Sequence, residues 1–285
     1  MAKALRWAGY LLAIIVALLL LAAAWIWIAS NRALGTRVDA LPEKLVQPTA
    51  AQLADGPRQL RVLGCVSCHG EQLQGKPFID DAKVAVLNAS NLTLVVAKAS
   101  DQQLAQAIRQ GIGYDGRPLV VMPSEHYQFM TDQEVAAVIA AIRKMPRAGK
   151  EQPAVKVGPI GRFALATGRL PVQPEMVATY RASRIADLGP QYAAGRHLVE
   201  TVCSGCHGPD LKGRELEPGV FSTDINIAAG YDLNQFRTLM KTGAAPSGKD
   251  LGLMARISRA DFSHMRDDEV AAIHAYLVER ARRAP

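Results

Sequence analysis

The pattern Cys-x-x-Cys-His occurs twice in this chain, as Cys65-Val66-Ser67-Cys68-His69 and Cys203-Ser204-Gly205-Cys206-His207. No other feature restricts its fold as much. Two thiols spaced this way on one turn of chain can each add to one of the two vinyl groups on a porphyrin edge. The His that follows swings under the ring and binds iron, so the pattern is that of covalent c-type haem attachment. All four cysteines are used, two per haem, and none is left for a disulfide. A zinc ribbon pairs its Cys-x-x-Cys units far closer than the 134 residues between Cys68 and Cys203. Neither zinc nor a thioredoxin-like redox pair gives a reason for His to follow both times.

Residues Trp7 to Ala29 run apolar with Tyr10 the only polar interruption. That length suffices for a bilayer core, which takes about 20 helical residues. Lys3 and Arg6 precede the run and hold the N-terminus in the cytoplasm, while Trp7, Tyr10, Trp25 and Trp27 mark its two ends. A cleaved signal peptide would have a shorter apolar region ending at a small-residue site. Here Trp25-Ile26-Trp27-Ile28 carries the run past Ala22-Ala23-Ala24, so an uncleaved anchor over residues 1–31 is expected. Everything after it then lies outside the cytoplasm, where bacteria attach haem through thioethers. The expected location is the bacterial inner membrane, single-pass, with the haem domains in the periplasm.

The remainder contains an internal repeat. Cys68-His-Gly-Glu-Gln-Leu-Gln-Gly-Lys reads against Cys206-His-Gly-Pro-Asp-Leu-Lys-Gly-Arg at an offset of 138. Gly111, Gly116, Leu119 and Met122 match Gly243, Gly248, Leu251 and Met254 at 132, and Tyr127, Met130, Asp132 and Glu134 match Phe262, Met265, Asp267 and Glu269 at 135. The fold class expected is all-α: the anchor, a linker over 32–49, a first module over 50–147, a connector over 148–188 and a second module over 189–285. Amphipathic runs at Ala50–Leu63 and Gln191–Val202 precede the haem motifs. Helices are expected at Asp101–Gln110 and Leu233–Thr242, each stopped by a left-handed Gly111 or Gly243. A last helix starts at Thr131-Asp132 or at Asp267, with a buried stripe of Val135, Val138, Ile139 and Ile142 or of Val270, Ile273 and Leu277. The connector, with Pro153, Pro159, Pro171 and Pro174, reads as partly ordered and lying on a module's surface.

The residue that returns to each iron decides the chemistry. A His-only iron is open to oxygen or peroxide; His with Met closes it and raises its potential. Met122 precedes Pro123 in a loop, and the repeat pairs it with Met254. These two are the expected sixth ligands, with His69 and His207 as the first. Met130, Met265, His126 and His264 stay open as alternatives, although Met130 and Met265 read better as packing residues and the two histidines as surface residues. Met240 reads as core, and His197 and His274 as partly exposed helix residues. Asn91 and Asn226, and Arg109 and Lys241, occupy matching places that suit either haem propionates or ordinary turns and solvated helix ends.

The order Cys-x-x-Cys-His-Gly, loop Met, then an Asp-x-Glu-Val helix resembles class I cytochrome c. Two such modules behind one anchor resemble the membrane-bound dihaem c-type cytochromes of proteobacteria. Asp115-Gly116-Arg117, Met122-Pro123, Tyr127 and Asp132-Gln133-Glu134 are similar to cytochrome subunits that accompany periplasmic dehydrogenases. The resemblance covers residues 50–147 and 189–285. It implies two covalently bound haem c groups on Cys65, Cys68, Cys203 and Cys206, with His69/Met122 and His207/Met254 as iron ligands. The second module departs from the pattern in having Ala255 where Pro follows Met122.

The net charge of +7 does not sit on the modules: residues 50–147 carry +1 and 189–285 carry 0, while residues 1–49 and 148–188 carry +3 each. That distribution suits an anionic bilayer surface rather than a nucleic acid. The expected function is electron transfer without bond-making, so the chain is not an enzyme by itself. It would carry single electrons between a respiratory or substrate-oxidising donor and a cytochrome or terminal oxidase. A tightly bound subunit of a dehydrogenase or oxidase complex is the alternative of the same chemistry. A dihaem peroxidase, which needs one open iron, is the alternative of another class.

Overall fold

Helix α1 (Ala2–Gly35) continues beyond the expected anchor end at residue 31. Its most apolar stretch has a mean hydropathy of 2.9 and no residue of that window is buried. By length and composition it can cross a membrane. The structure, a computed structural model, describes residues 2–217 and 219–284.

The first module is built from α2 (Ala50–Val62), α3 (Cys65–His69), the hairpin β1 (Lys76–Asp81) and β2 (Ala85–Ala89), then α4 (Leu92–Val95), α5 (Asp101–Gln110), α6 (Ser124–Tyr127) and α7 (Asp132–Lys144). The connector supplies β3 (Lys156–Val157), α8 (Pro159–Ala166) and α9 (Gln173–Ala182). The second module follows with α10 (Ala193–Leu198), a π-helical turn over Val199–Cys203, α11 (Ser204–His207), β4 (Glu215–Glu217), β5 (Val220–Phe221), α12 (Leu233–Thr242), α13 (Leu253–Ala260) and α14 (Asp267–Arg283). Helices carry both cores. The hairpins, which the sequence reading missed, sit outside the cores and directly after each haem turn.

Local chemistry sets the helix ends. Capping boxes Ser100/Gln103, Thr131/Glu134 and Asp232/Gln235 start α5, α7 and α12. Gly111 and Gly243 end α5 and α12 at φ of 69° and 75°, where a Cβ is unwelcome. Leu60, Leu104, Ile108 and the α7 stripe form the first core. Val199, Phe236, Met240, Val270, Ile273 and Leu277 form the second.

In each module the first helix crosses the last at a glycine. A Cβ on Gly56 would lie 2.9 Å from Ala141 Cβ, and one on Gly195 would lie 2.1 Å from Ala272 O and 2.9 Å from Tyr276 Cβ. Gly56 and Gly195 are 139 apart, one more than the 138 of the Cys-x-x-Cys-His motifs, and Ala137 and Ala272 are 135 apart, the offset of the last helices. The single amphipathic helix expected over Gln191–Val202 is broken into a 3₁₀ turn, α10 and the π turn. The second module also has one residue fewer than the first between this glycine and the first Cys.

The connector, expected to be partly ordered and to lie on a module's surface, forms regular elements that pack on α1 and on the first module. β3 adds to β2, pairing Ala85 with Val157 and Val86 with Lys156. α8 lies on α1, where Arg162 stacks 3.8 Å above the Trp27 ring and donates to Ser30 Oγ and Asn31 Oδ1, both at 2.9 Å. α9 packs on α6, and Gln173 Oε1 accepts from Ser124 N at 3.0 Å. Residues 36–49 also lie on the first module: Val38 N donates to Gly116 O at 2.9 Å and Leu41 N to Gln110 Oε1 at 2.8 Å.

The modules dock reciprocally. Arg58 of α2 makes a two-pronged bond to Glu269 of α14, at 2.8 and 2.9 Å. His197 of α10 bonds Glu134 of α7 at 2.8 Å. Arg58 matches His197 and Glu134 matches Glu269 in the repeat, so one contact is the other turned about an approximate two-fold axis. His197, expected as an unassigned helix residue, is therefore part of the docking. The Glu134 bond and charge raise the His197 pKa above the ordinary 6.5, against burial. Burial pushes Glu134 up, but His197 outweighs it and holds the carboxyl below 4.5. Stability from a raised His is complete below pH 6.5 and is lost as pH rises through the raised value; that from a lowered Glu is lost as pH falls through its own. Docking is therefore expected to be firmest between about pH 4.5 and 6.5 and to loosen above it, with His197→Gln flattening the profile. Hydrogen exchange of α10 across pH, corrected for intrinsic rates, checks this.

Candidate haem-binding sites

Each Cys-x-x-Cys-His motif forms a short helical turn ended by a left-handed glycine, Gly70 at φ 88° and Gly208 at φ 85°. The chain then curls back on the His. Gly75 N donates to His69 O at 2.7 Å, and Gly213 N to His207 O at 2.8 Å. Inside each loop a fully buried leucine, Leu73 or Leu211, takes positive φ (55° and 64°). Such a conformation is strained for leucine, and packing holds it at matching positions in both copies.

The loops orient the imidazoles. His69 Nδ1 lies 2.7 Å from Ser90 O and His207 Nδ1 lies 2.8 Å from Thr223 O. A carbonyl only accepts, so each Nδ1 carries the proton and each Nε2 keeps its lone pair for a metal. Burial lowers both histidines below the ordinary value, which favours the neutral ring. Burial pushes the Cys65 and Cys203 thiols up to about 12. Thiols so disfavoured as thiolates are unlike activated nucleophiles. All four cysteines are free of disulfides. Among the described residues no group of three or more His, Cys, Asp or Glu could hold a bare metal ion. One neutral imidazole beside two thiols suits an iron whose other ligands come from a porphyrin, so the donor set fits haem c.

The methionines divide as their surroundings dictate. Met130, Met240 and Met265 are buried in the cores. Met122 and Met254 border them, half-buried: Met122 packs on the core that Cys65 and Val66 also border, and Met254 on the core that includes Cys203. Met122 lies in a loop because Pro123 blocks a helix there. Met254, expected in a loop as well, lies in the first turn of α13, which Ala255 permits.

Several secondary expectations change. Asn91 is buried and donates to Ala148 O at 2.7 Å and Lys150 O at 3.1 Å, and Asn226 accepts from Arg280, so both are structural. Arg109 is no solvated helix end: it bonds Glu43 and Asp132 and donates to Met130 O at 2.8 Å. Lys241 donates to Met265 O, which explains why the two basic residues match. His126 is no surface residue. Its Nδ1 is buried without a partner among the described residues, and a Cβ on Gly205 would lie 2.0 Å from it. Burial lowers its pKa to about 3, so the ring is neutral. At the other site Ser67 Oγ donates to Asp261 Oδ1. Asp261 and Glu125, which no motif marks in the sequence, also lie at these sites.

Residues 53–146 and 192–281 each match the family described as cytochrome c. The chain belongs to the cytochrome c family. The two matches cover most of this cytochrome outside α1 and the connector, and they make it a tandem of class I modules whose business is electron transfer. Cytochrome c modules carry covalent haem c, and two modules imply two haems. No curated protein matches the cytochrome.

Proposed function

We propose that the chain is a membrane-anchored dihaem electron carrier. Cys65, Cys68, Cys203 and Cys206 hold two haem c groups by thioether bonds, and His69/Met122 and His207/Met254 close the two irons. Haem c, once attached, supplies a one-electron couple. The protein contributes no bond-making group. His69 and His207 keep one tautomer through Ser90 and Thr223. Met122 and Met254 exclude small ligands from the irons and set the potential high. α1 keeps the modules at the membrane, with Lys3 and Arg6 on the cytoplasmic side and the haems in the periplasm. Electrons enter from a respiratory or substrate-oxidising donor and leave to a cytochrome or terminal oxidase. The observation that carries this reading is the doubled haem turn with its committed Nδ1 and half-buried methionine.

Electron paramagnetic resonance of the oxidised protein, with its optical spectrum, tests it. Two low-spin haems with a Met-sulfur-to-iron band are expected. Met122→Ala and Met254→Ala should each remove about half of that band and make one haem high-spin. A high-spin haem in the unaltered protein overturns the carrier reading and favours the peroxidase alternative.

A further inference from the structure

The approximate two-fold axis brings unlike residues to matching places. Ser67 and Gly205 occupy the same position in the two haem turns, and His126 and Asp261 match at the offset of 135 that pairs Tyr127 with Phe262. Asp261 of the second module meets Ser67 of the first, and His126 of the first meets Gly205 of the second. The contacts are geometrically equivalent and electrically different. One places a carboxyl against a haem turn; the other places a neutral imidazole there.

Asp261 is 4% exposed, and Ser67 Oγ is its side chain's one hydrogen-bond donor among the described residues. Its second oxygen faces Gly64, lying 3.4 Å from where a Cβ on that residue would be. The cation acting on it is Lys76, which is exposed and therefore screened by solvent. A buried charge is screened far less. The second site balances differently. Arg214 donates to Tyr180 Oη at 2.9 Å, and Tyr180 Oη donates to Ser204 O within the haem turn. Glu125, 5% exposed, is the acidic group buried beside Arg214. The guanidinium and the carboxyl act with opposite sign on the Cys206 thiol of that turn, while Glu125 Oε2 has no hydrogen-bond partner among the described residues.

We propose that Asp261 is a potential-setting residue acting across the module interface: its carboxylate favours the oxidised haem at Cys65/Cys68 and makes the first site the lower-potential of the two. The inference rests on the two-haem reading above. The charge difference between ferric and ferrous haem is one unit, and a nearby buried anion favours the more positive form. The carboxyl need not change protonation for this, although burial pushes its pKa up, so the test is best run at pH 8. Arg214 and Glu125 leave the second site without such a bias.

The test is a spectroelectrochemical titration of the full chain in detergent, after counting covalent haems. A chain without two haems overturns the underlying reading, and this inference with it. With two haems, the unaltered protein should titrate in two resolved one-electron steps. Asp261→Asn, which keeps the shape and an oxygen for Ser67, should move the lower step up by about tenfold in its equilibrium constant, or 59 mV for one electron, and leave the upper step in place. Asp261→Glu, which keeps the charge, should leave the lower step near its original value. If Asp261→Asn does not load both haems, Asp261→Ser repeats the test. Movement of the upper step instead overturns the ordering of the sites. No movement of either step overturns the role of the charge.

Discussion

Gly195→Ala is expected to destabilise the second module by about 2 kcal/mol, even though alanine is the better helix former by about 1 kcal/mol. The added Cβ would lie 2.1 Å from Ala272 O and 2.7 Å from Ala272 C. Those are backbone atoms of α14 and cannot turn aside, so α10 and α14 must separate. Their contact seals the core of Val199, Val270, Ile273 and Leu277, each with 0% exposure. Parting the helices loosens all four at once, and the loss exceeds the propensity gain. In a module of this size the melting midpoint should fall by roughly 8–16 °C. Gly56→Ala is the built-in comparison. Its Cβ meets Ala141 Cβ at 2.9 Å and Ala137 O at 3.2 Å, so the helices must part less than at Gly195. There the propensity gain and the overpacking nearly cancel. Thermal melts of both variants, followed in the far ultraviolet, check the ranking. Equal effects would mean that the crossing glycines are not what limits the approach of these helices.

What could be read in the sequence was whatever repeats or punctuates locally. Helices α5 and α12 begin and end where expected, because a capping residue and a left-handed glycine are chemical signals at fixed positions. The last helices follow from the spacing of Val135, Val138, Ile139 and Ile142 and its counterpart. The hairpins were invisible because Lys76–Asp81 has almost no buried side and so no alternation to detect. The connector helices were missed for a related reason. Leu165 and Gly161 of α8, and Val177 and Tyr180 of α9, are buried by other elements, and the proline content argued the other way. The two Cys-x-x-Cys-His turns stood out through motif spacing. The residues that reach those turns from the opposite module were not, since a contact between distant positions leaves no local period. One trace was available: where the repeat aligns, Ser67 faces Gly205 in the comparison, and His126 faces Asp261. Paired departures of this kind, one large residue for one small, mark places where two copies must fit one another.

The second large effect is expected from Gly205→Ala, and it tests that fit directly. Gly205 lies in the second haem turn, where a Cβ would stand 2.0 Å from His126 Nδ1 and 2.4 Å from Cε1. The ring has little room to yield, being packed edge-on against Tyr127 with centroids 4.3 Å apart. Tyr127 in turn donates to Leu63 O, just before the first haem turn. A methyl group at position 205 therefore pushes on a chain of contacts that runs from one haem turn to the other. Expelling His126 would open the docking surface between α6 and α11. His126→Ala alone should cost less, because it removes a ring whose buried Nδ1 has no partner among the described residues. Combining it with Gly205→Ala restores the missing space. The double variant should then be more stable than Gly205→Ala alone, with a coupling of about 1–3 kcal/mol in a denaturant double-mutant cycle. Hydrogen exchange at α6 and α11 should follow the same order. Simple additivity would show that the ring and the haem turn do not press on each other in solution. The modules would then be joined mainly through Arg58–Glu269, His197–Glu134 and Ser67–Asp261.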